Sequence, residues 1–179
     1  MKNEIRPNEA KLDTTCLPKT VVIKNPNGDN RTCNPKKISF EQFREANLSH
    51  QREVKSVMST LAMLLINNGL IHDYTKNSSL YQEYYEYFKD FKEKQGIDFI
   101  NGSWYQHHIT AERHHPNSYC CSDINLLDII ETIVDCVCAG KARSGEIRDL
   151  EFDSEIVQKA IQNTVKLIDD ITVVEDLKK

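Results

Sequence analysis

Residues 126–140 read LLDIIETIVDCVCAG, an apolar stretch that acidic residues interrupt at Asp128, Glu131 and Asp135. Asp123 or Asn125 ahead of it caps a helix and Gly140 behind it ends one, so the stretch is read as an α-helix. The three carboxylates stand at i, i+3 and i+7, which places them on one face. Asp128 and Glu131 read as the solvated side of an amphipathic helix. Asp135 differs, because Ile133, Val134, Cys136 and Val137 flank it. Its surroundings read as buried, where a carboxylate is expensive unless it is paired or metal-bound.

Helical periodicity extends outward from this stretch in both directions. Toward the N-terminus, Leu48 to Leu70 carries Val54, Val57, Met58, Leu61, Leu64 and Leu65 at spacings of three and four, predicting one buried face and a stop at Gly69. Ser39 with Gln42 three residues on resembles a capping box. Ser78 or Ser79 should cap a helix that runs through Tyr81, Tyr84, Tyr85, Phe88 and Phe91 to Gly96, its aromatic stripe packing in the core. A short helix is expected from Ser103 to about Arg113, before His115-Pro116. A last one spans Ser154 to Ile171 on Ile156, Val157, Ile161, Val165 and Ile168. Residues 1–38 are rich in Pro, Asn, Lys and Thr, and Thr20–Lys24 before a turn signal reads as a small hairpin or extended arm. The expectation is an all-α domain over residues 39–179 with a short N-terminal arm or β-hairpin over 1–38.

The 179 residues suffice for a core without staples. A formal charge of −4 provides no basic field for extended nucleic acid. The longest apolar run, Leu61–Ile66, is short for a membrane span, and the N-terminus lacks a signal peptide's apolar region; a cytoplasmic protein with no membrane partner is expected. Six cysteines without a CxxC pair read as reduced thiols.

All six histidines lie between residues 50 and 115: His50, His72, the pair His107-His108 and the pair His114-His115. On a helix, adjacent positions are about 100° apart, so one ring of each pair should face a site while the other packs. With Asp73 and Asp135, these rings offer the imidazole and carboxylate donors that bind zinc, iron, manganese and similar ions.

The order His50, then His72-Asp73, then Asp135 on successive helices resembles the HD-domain superfamily of metal-dependent phosphohydrolases, and HDYTK (72–76) is similar to that family's HD-x-x-K stretch. The resemblance covers about residues 48–141, and WYQHHITAERHHP resembles a signature of small HD-like proteins of phages and bacteria. It implies an HD-like helical bundle in which His50, His72, Asp73 and Asp135 ligate one divalent transition metal (Mn, Co, Ni, Fe or Zn). Room for a second ion is implied at His108 and His115. It further implies Asp73 and Lys76 as catalytic residues, with Lys76 contacting the phosphates of a small phosphorylated substrate, a nucleotide by preference; Arg113, Lys141 and Arg143 read either as further contacts to those phosphates or as a surface arginine and two charges suited to a helix C-terminus. A divalent ion lowers the pKa of its water from 15.7 to about 7 and polarises a phosphoryl oxygen.

Two other classes remain open at this level. One is a di-iron oxygenase on the same scaffold, for which six ligands are needed. The other is a non-catalytic metal-binding interaction or inhibitory module, phage-encoded, whose arm contacts a partner. Self-association into a homo-oligomer is compatible with each.

Overall fold

The computed structural model describes residues 12–29, 31–76, 81–93, 101–116 and 120–177. Strand β1 (Thr20–Lys24) precedes five helices: α1 (Phe40–Ile71), α2 (Tyr81–Glu93), α3 (Ser103–Ala111), α4 (Leu126–Ser144) and α5 (Ser154–Asp170). Strand β2 (Thr172–Asp176) follows them. The fold is all-α with one short two-stranded sheet.

Local chemistry explains the helix ends. Ser39 and Gln42 form the expected capping box, each side chain accepting the other's backbone N–H, at 3.2 and 2.8 Å. Asn125 and Asp128 form a second box at the start of α4. Gly140 does not end α4, which runs a further turn to Gly145 in the left-handed conformation (φ 78°). Gly140 instead admits the returning chain, since a Cβ there would lie 2.6 Å from the Glu146 carbonyl oxygen. Nor does Gly69 end α1. That helix gives way only before Asp73, whose φ of 56° is the one left-handed value for a residue other than glycine among the described residues. The expected cap of α2 at Ser78 or Ser79 and its stop at Gly96 lie outside those residues.

Three expectations are corrected. Thr20–Lys24 forms no hairpin with its neighbours; it pairs in parallel with β2, from Thr20 opposite Thr172 to Lys24 opposite Asp176. A parallel pair needs a long crossover, and here the helices between the strands supply it. The aromatic stripe of α2 is not core, for Tyr81, Tyr85 and Phe88 are 59, 51 and 42% exposed. On α5 the buried residues are Ile156, Ala160 and Leu167, whereas Ile161 and Val165 face solvent. Small and polar side chains on that face, invisible to an apolar count, shift the stripe.

The chain divides into two compact units, residues 13–64 with 165–179 and residues 1–12 with 65–164. In the former, β1 is tied to α1, Ile23 donating its N–H to Glu53 Oε1 at 3.0 Å and Thr20 Oγ1 lying 2.9 Å from Ser56 Oγ. In the latter, Cys120, Cys121, Ile124, Ile129, Ile156 and Ala160 form a buried cluster. The Asn163 amide donates to the carbonyls of Ser122 and Ile124, so the loop ahead of α4 has its backbone satisfied. All six cysteines are free thiols, Cys120 and Cys121 buried, Cys16 and Cys138 exposed.

Helix α1 is much less buried than its periodicity suggests: Leu64 is 8% exposed, but Val54 and Met58 are 46 and 62% exposed. By length and composition alone, the segment Phe40–Lys76 would be long and apolar enough to cross a membrane.

Candidate metal centre

The end of α1, the turn after it, the end of α3 and the middle of α4 bring their side chains together in the unit that spans residues 65–164. The left-handed conformation of Asp73 turns the chain out of α1. Asparagine and glycine adopt it more readily than aspartate, so the strain of keeping a carboxylate there points to a role for the side chain. Both Asp73 oxygens accept from Lys76 Nζ at 2.8 Å. Asp73 Oδ1 also lies 3.6 Å from His108 Nε2 and 3.5 Å from His114 Nε2, and Oδ2 lies 3.6 Å from His72 Nε2.

Two groups of donors converge. Asp73, His108, His114 and His115 present one atom each within 4.8 Å of one another, as do His72, His114 and Glu131. His115 Nε2 stands 2.9 Å from His108 Nε2. His72 Nδ1 is 3.0 Å from Glu131 Oε1, and its Nε2 is 3.6 Å from Asp135 Oδ1. A buried cluster of histidine and carboxylate donors that could hold a metal ion is therefore present.

His114 makes the case for a cation specific. It is 1% exposed, and neither ring nitrogen makes an aligned hydrogen bond, although Glu131 and Asp73 lie within ion-pair distance at 3.2 and 3.5 Å. A buried polar atom left in that condition costs about 1–3 kcal/mol. A cation among these donors would satisfy it.

The charge state of the rings follows from their surroundings. Burial disfavours a proton on His114, but the carboxylates of Asp73 and Glu131 outweigh it and raise this ring to about 9. Burial, reinforced by Lys76 and by His114 and His72, lowers His108 to about 3. Burial with the charges of His114 and His108 lowers His115 to about 3 as well. For Asp73, burial works upward but is outweighed by His114 and Lys76, which hold it well below the usual carboxylate range. Two neutral rings and an ionised carboxylate are ready to ligate a metal, and His114, held protonated by its carboxylate neighbours, must release its proton to join them.

The tautomer of His108 follows from its neighbours. The Thr75 backbone N–H and hydroxyl both donate to Glu112 Oε1, at 2.9 and 2.8 Å. The hydroxyl has then spent its proton and can only accept, so the contact of 2.6 Å with His108 Nδ1 places the ring proton on that nitrogen. The Nε2 lone pair is left to face Asp73 and His115. Trp104 stacks behind the ring at 5.2 Å between centroids and fixes its plane. Thr75→Val should break this relay with little change of volume and weaken zinc binding by about 10–100-fold, as loss of a histidine's supporting partner typically does. Isothermal titration calorimetry of the native and variant proteins would read this, and equal affinities would show that the relay does not orient His108.

The structure places the sequence-predicted residues unevenly. His72, Asp73, Asp135, His108 and His115 come together with Lys76. His50 does not join them. It belongs to the other compact unit, exposed on α1 beside Gly28, Asp29, Arg31 and Glu53, and is in neither donor group. Asp135 is half-buried, not enclosed, because Ile133 and Val134 beside it are 41 and 55% exposed. Asp128, expected at the surface, is 1% exposed. Arg113 is its partner, donating from Nε at 2.9 Å and from Nη2 at 2.7 Å, with Nη1 reaching Asp123 at 2.8 Å; this guanidinium braces the fold and is not held out for substrate. Lys141 and Arg143 are exposed in the last turn of α4.

Sequence reasoning missed two residues. Glu131 reads from the sequence as solvated, yet its position four residues before Asp135 puts it on the same face. His114 is absent from the ligand set that the resemblance implies, which takes His108 and His115 for a second ion. Helix α3 ends at Ala111, and the irregular chain beyond it turns both rings of the second pair inward, whereas in the first pair His107 is exposed and His108 buried.

The model of a family of unknown function, DUF5662, matches residues 39–172. The chain belongs to this family. Its matched span takes in every residue of the centre. No curated protein and no solved structure matches the chain.

Beside the centre, in the same unit, a cavity of about 310 Å³ is walled by Leu65, Ile130 and Val134, with Gly69 and Cys138 on its lining and His72, Glu131 and Asp135 at its polar end.

Proposed function

We propose that this protein is a metal-dependent phosphohydrolase acting on a small phosphoester, a nucleotide or a related compound, in line with the HD-like order of its His-Asp pair and later aspartate. What supports the reading is the convergence of four imidazoles on Asp73, with the buried His114 ring lacking aligned partners. His108, His114, His115 and Asp73 would hold one ion. His72 with Asp135, and Glu131 or the second oxygen of Asp73, would hold another. A divalent ion bound there supplies Lewis acidity and an acidified water.

The chain's own residues prepare the site for that. Thr75 and Glu112 set the His108 tautomer, and Glu131 accepts from His72 Nδ1 and faces His114 Nδ1 at 3.2 Å. Lys76 carries three N–H donors, two of which Asp73 takes, so one is left for an anionic substrate oxygen. Elemental analysis of protein purified without added metal, followed by a phosphate-release screen of nucleotides with manganese, cobalt, nickel, magnesium and iron, tests the reading. Tight metal binding without turnover would instead favour the interaction module.

Lys76→Ala should separate the roles of this lysine. Removing it frees Asp73 from a competing cation, so metal affinity should hold or rise, while turnover of the identified substrate falls on the order of a hundredfold from the loss of one donor to the developing charge. Titration with the metal and steady-state kinetics would read the two effects; unchanged turnover would confine Lys76 to holding Asp73.

One observation favours a second reading. His72, Asp73, His108, His114, His115 and Asp135 number the six donors that a di-iron oxygenase requires. Iron at two per chain after anaerobic purification, with oxygen uptake and no phosphate release, would select it.

A further inference from the structure

The cavity beside the centre has a composition that the phosphate chemistry does not explain. Its walls are Leu65, Ile130 and Val134, and its polar end carries two carboxylates, Glu131 and Asp135, with no lysine or arginine on the lining among the described residues. An anionic or polyphosphate group would therefore meet only apolar side chains or like charge, which disfavours it. An uncharged apolar group loses nothing there and gains by leaving water.

Gly69 is the second observation. Glycine inside a helix is less favourable than almost any other residue, and it is usually kept where φ is positive or where a neighbour approaches closely. Neither reason holds here, since Gly69 lies within α1 and a Cβ built on it would have no atom within 4 Å. What the missing side chain leaves open is the cavity it lines.

We propose that this slot binds an uncharged apolar arm of the substrate, an alkyl chain or unsubstituted ring, whose polar head reaches the centre past His72 and Asp135. The inference rests on the reading of the centre as a metal site and narrows its substrate to an amphiphile with one metal-seeking end. The volume of about 310 Å³ fits an arm of one or two rings or a short chain.

Hydroxamates provide the probe, because their head chelates zinc and their tail can be varied. Calorimetry on the zinc-loaded full chain should find hexanohydroxamate on the order of a hundredfold tighter than acetohydroxamate, about fourfold for each added methylene that is buried. Gly69→Leu places a good helix former into open space and should erase this gain while leaving zinc stoichiometry and acetohydroxamate affinity unchanged. Val134→Glu, at a position 55% exposed, puts a charge in the slot and should do the same. Metal-free protein should show 1-hexanol-dependent NMR shifts of the Leu65, Ile130 and Val134 methyls, absent in Gly69→Leu. Equal affinities of the two hydroxamates, or a tail gain that survives both substitutions, would overturn the slot alone. A chain that takes up no zinc, or binds neither hydroxamate, would overturn the metal centre and the arm's assignment with it.

Discussion

Arg113→Met is expected to destabilise the protein by about 3–5 kcal/mol, the scale on which removal of one partner from a buried ion pair is felt. The Asp128 carboxylate is 1% exposed and takes two of the guanidinium's donors, so the variant would strand a charge inside the fold. In a chain of this size that corresponds to a fall in melting temperature of roughly 10 °C. Burial already pushes the Asp128 carboxyl up, and Arg113 opposes it. Without the arginine the folded-state pKa rises further above the unfolded value of about 3.9, so the folded variant binds more protons than the unfolded chain. Its loss of stability should then be small below about pH 4 and grow as pH rises. Thermal melts of the native and variant proteins across that range would read both effects. The double variant Arg113→Met, Asp128→Asn should recover part of the loss at neutral pH. A melting temperature unchanged by Arg113→Met would return this arginine to the role of a substrate contact.

Asp73→Asn should weaken metal binding without removing the fold. The left-handed backbone at residue 73 suits asparagine at least as well as aspartate, and the half-buried Lys76 can turn its ammonium to water. The carboxylate, however, faces three rings, those of His72, His108 and His114, at 3.5–3.6 Å. Losing its charge should weaken metal binding at both donor groups by more than about a hundredfold, since hard and borderline cations depend on an ionised oxygen ligand. Circular dichroism would verify the fold, and calorimetry with zinc and manganese would give the affinities. Native-like metal affinity in this variant would show that His114 and its neighbours pack as a histidine cluster without a cation.

The sequence by itself determined that the chain is helical, and it determined the starts of α1 and α4. Helical periodicity, the Ser39–Gln42 box and the Asn125 cap act over three or four residues, and the energetics of such short-range features are written in the chain directly. It determined, too, that metal-seeking side chains are concentrated around His72-Asp73 and in 107–115, because composition needs no geometry. Tertiary structure alone decided which of them meet. His50 fits the spacing of a motif but belongs to the other compact unit and is in neither donor group. His114 and Glu131 enter because the chain leaves the helix after Ala111 and because α4 turns its acidic face to the rings, arrangements that depend on what packs against what. Arg113 looked like a free cation until Asp128, 15 residues on, proved buried beside it. The pairing of β1 with β2 joins segments about 150 residues apart, and no local pattern in either strand names the other. Contacts of that kind are selected by burial and by satisfaction of polar groups in three dimensions, and a one-dimensional period carries no record of them.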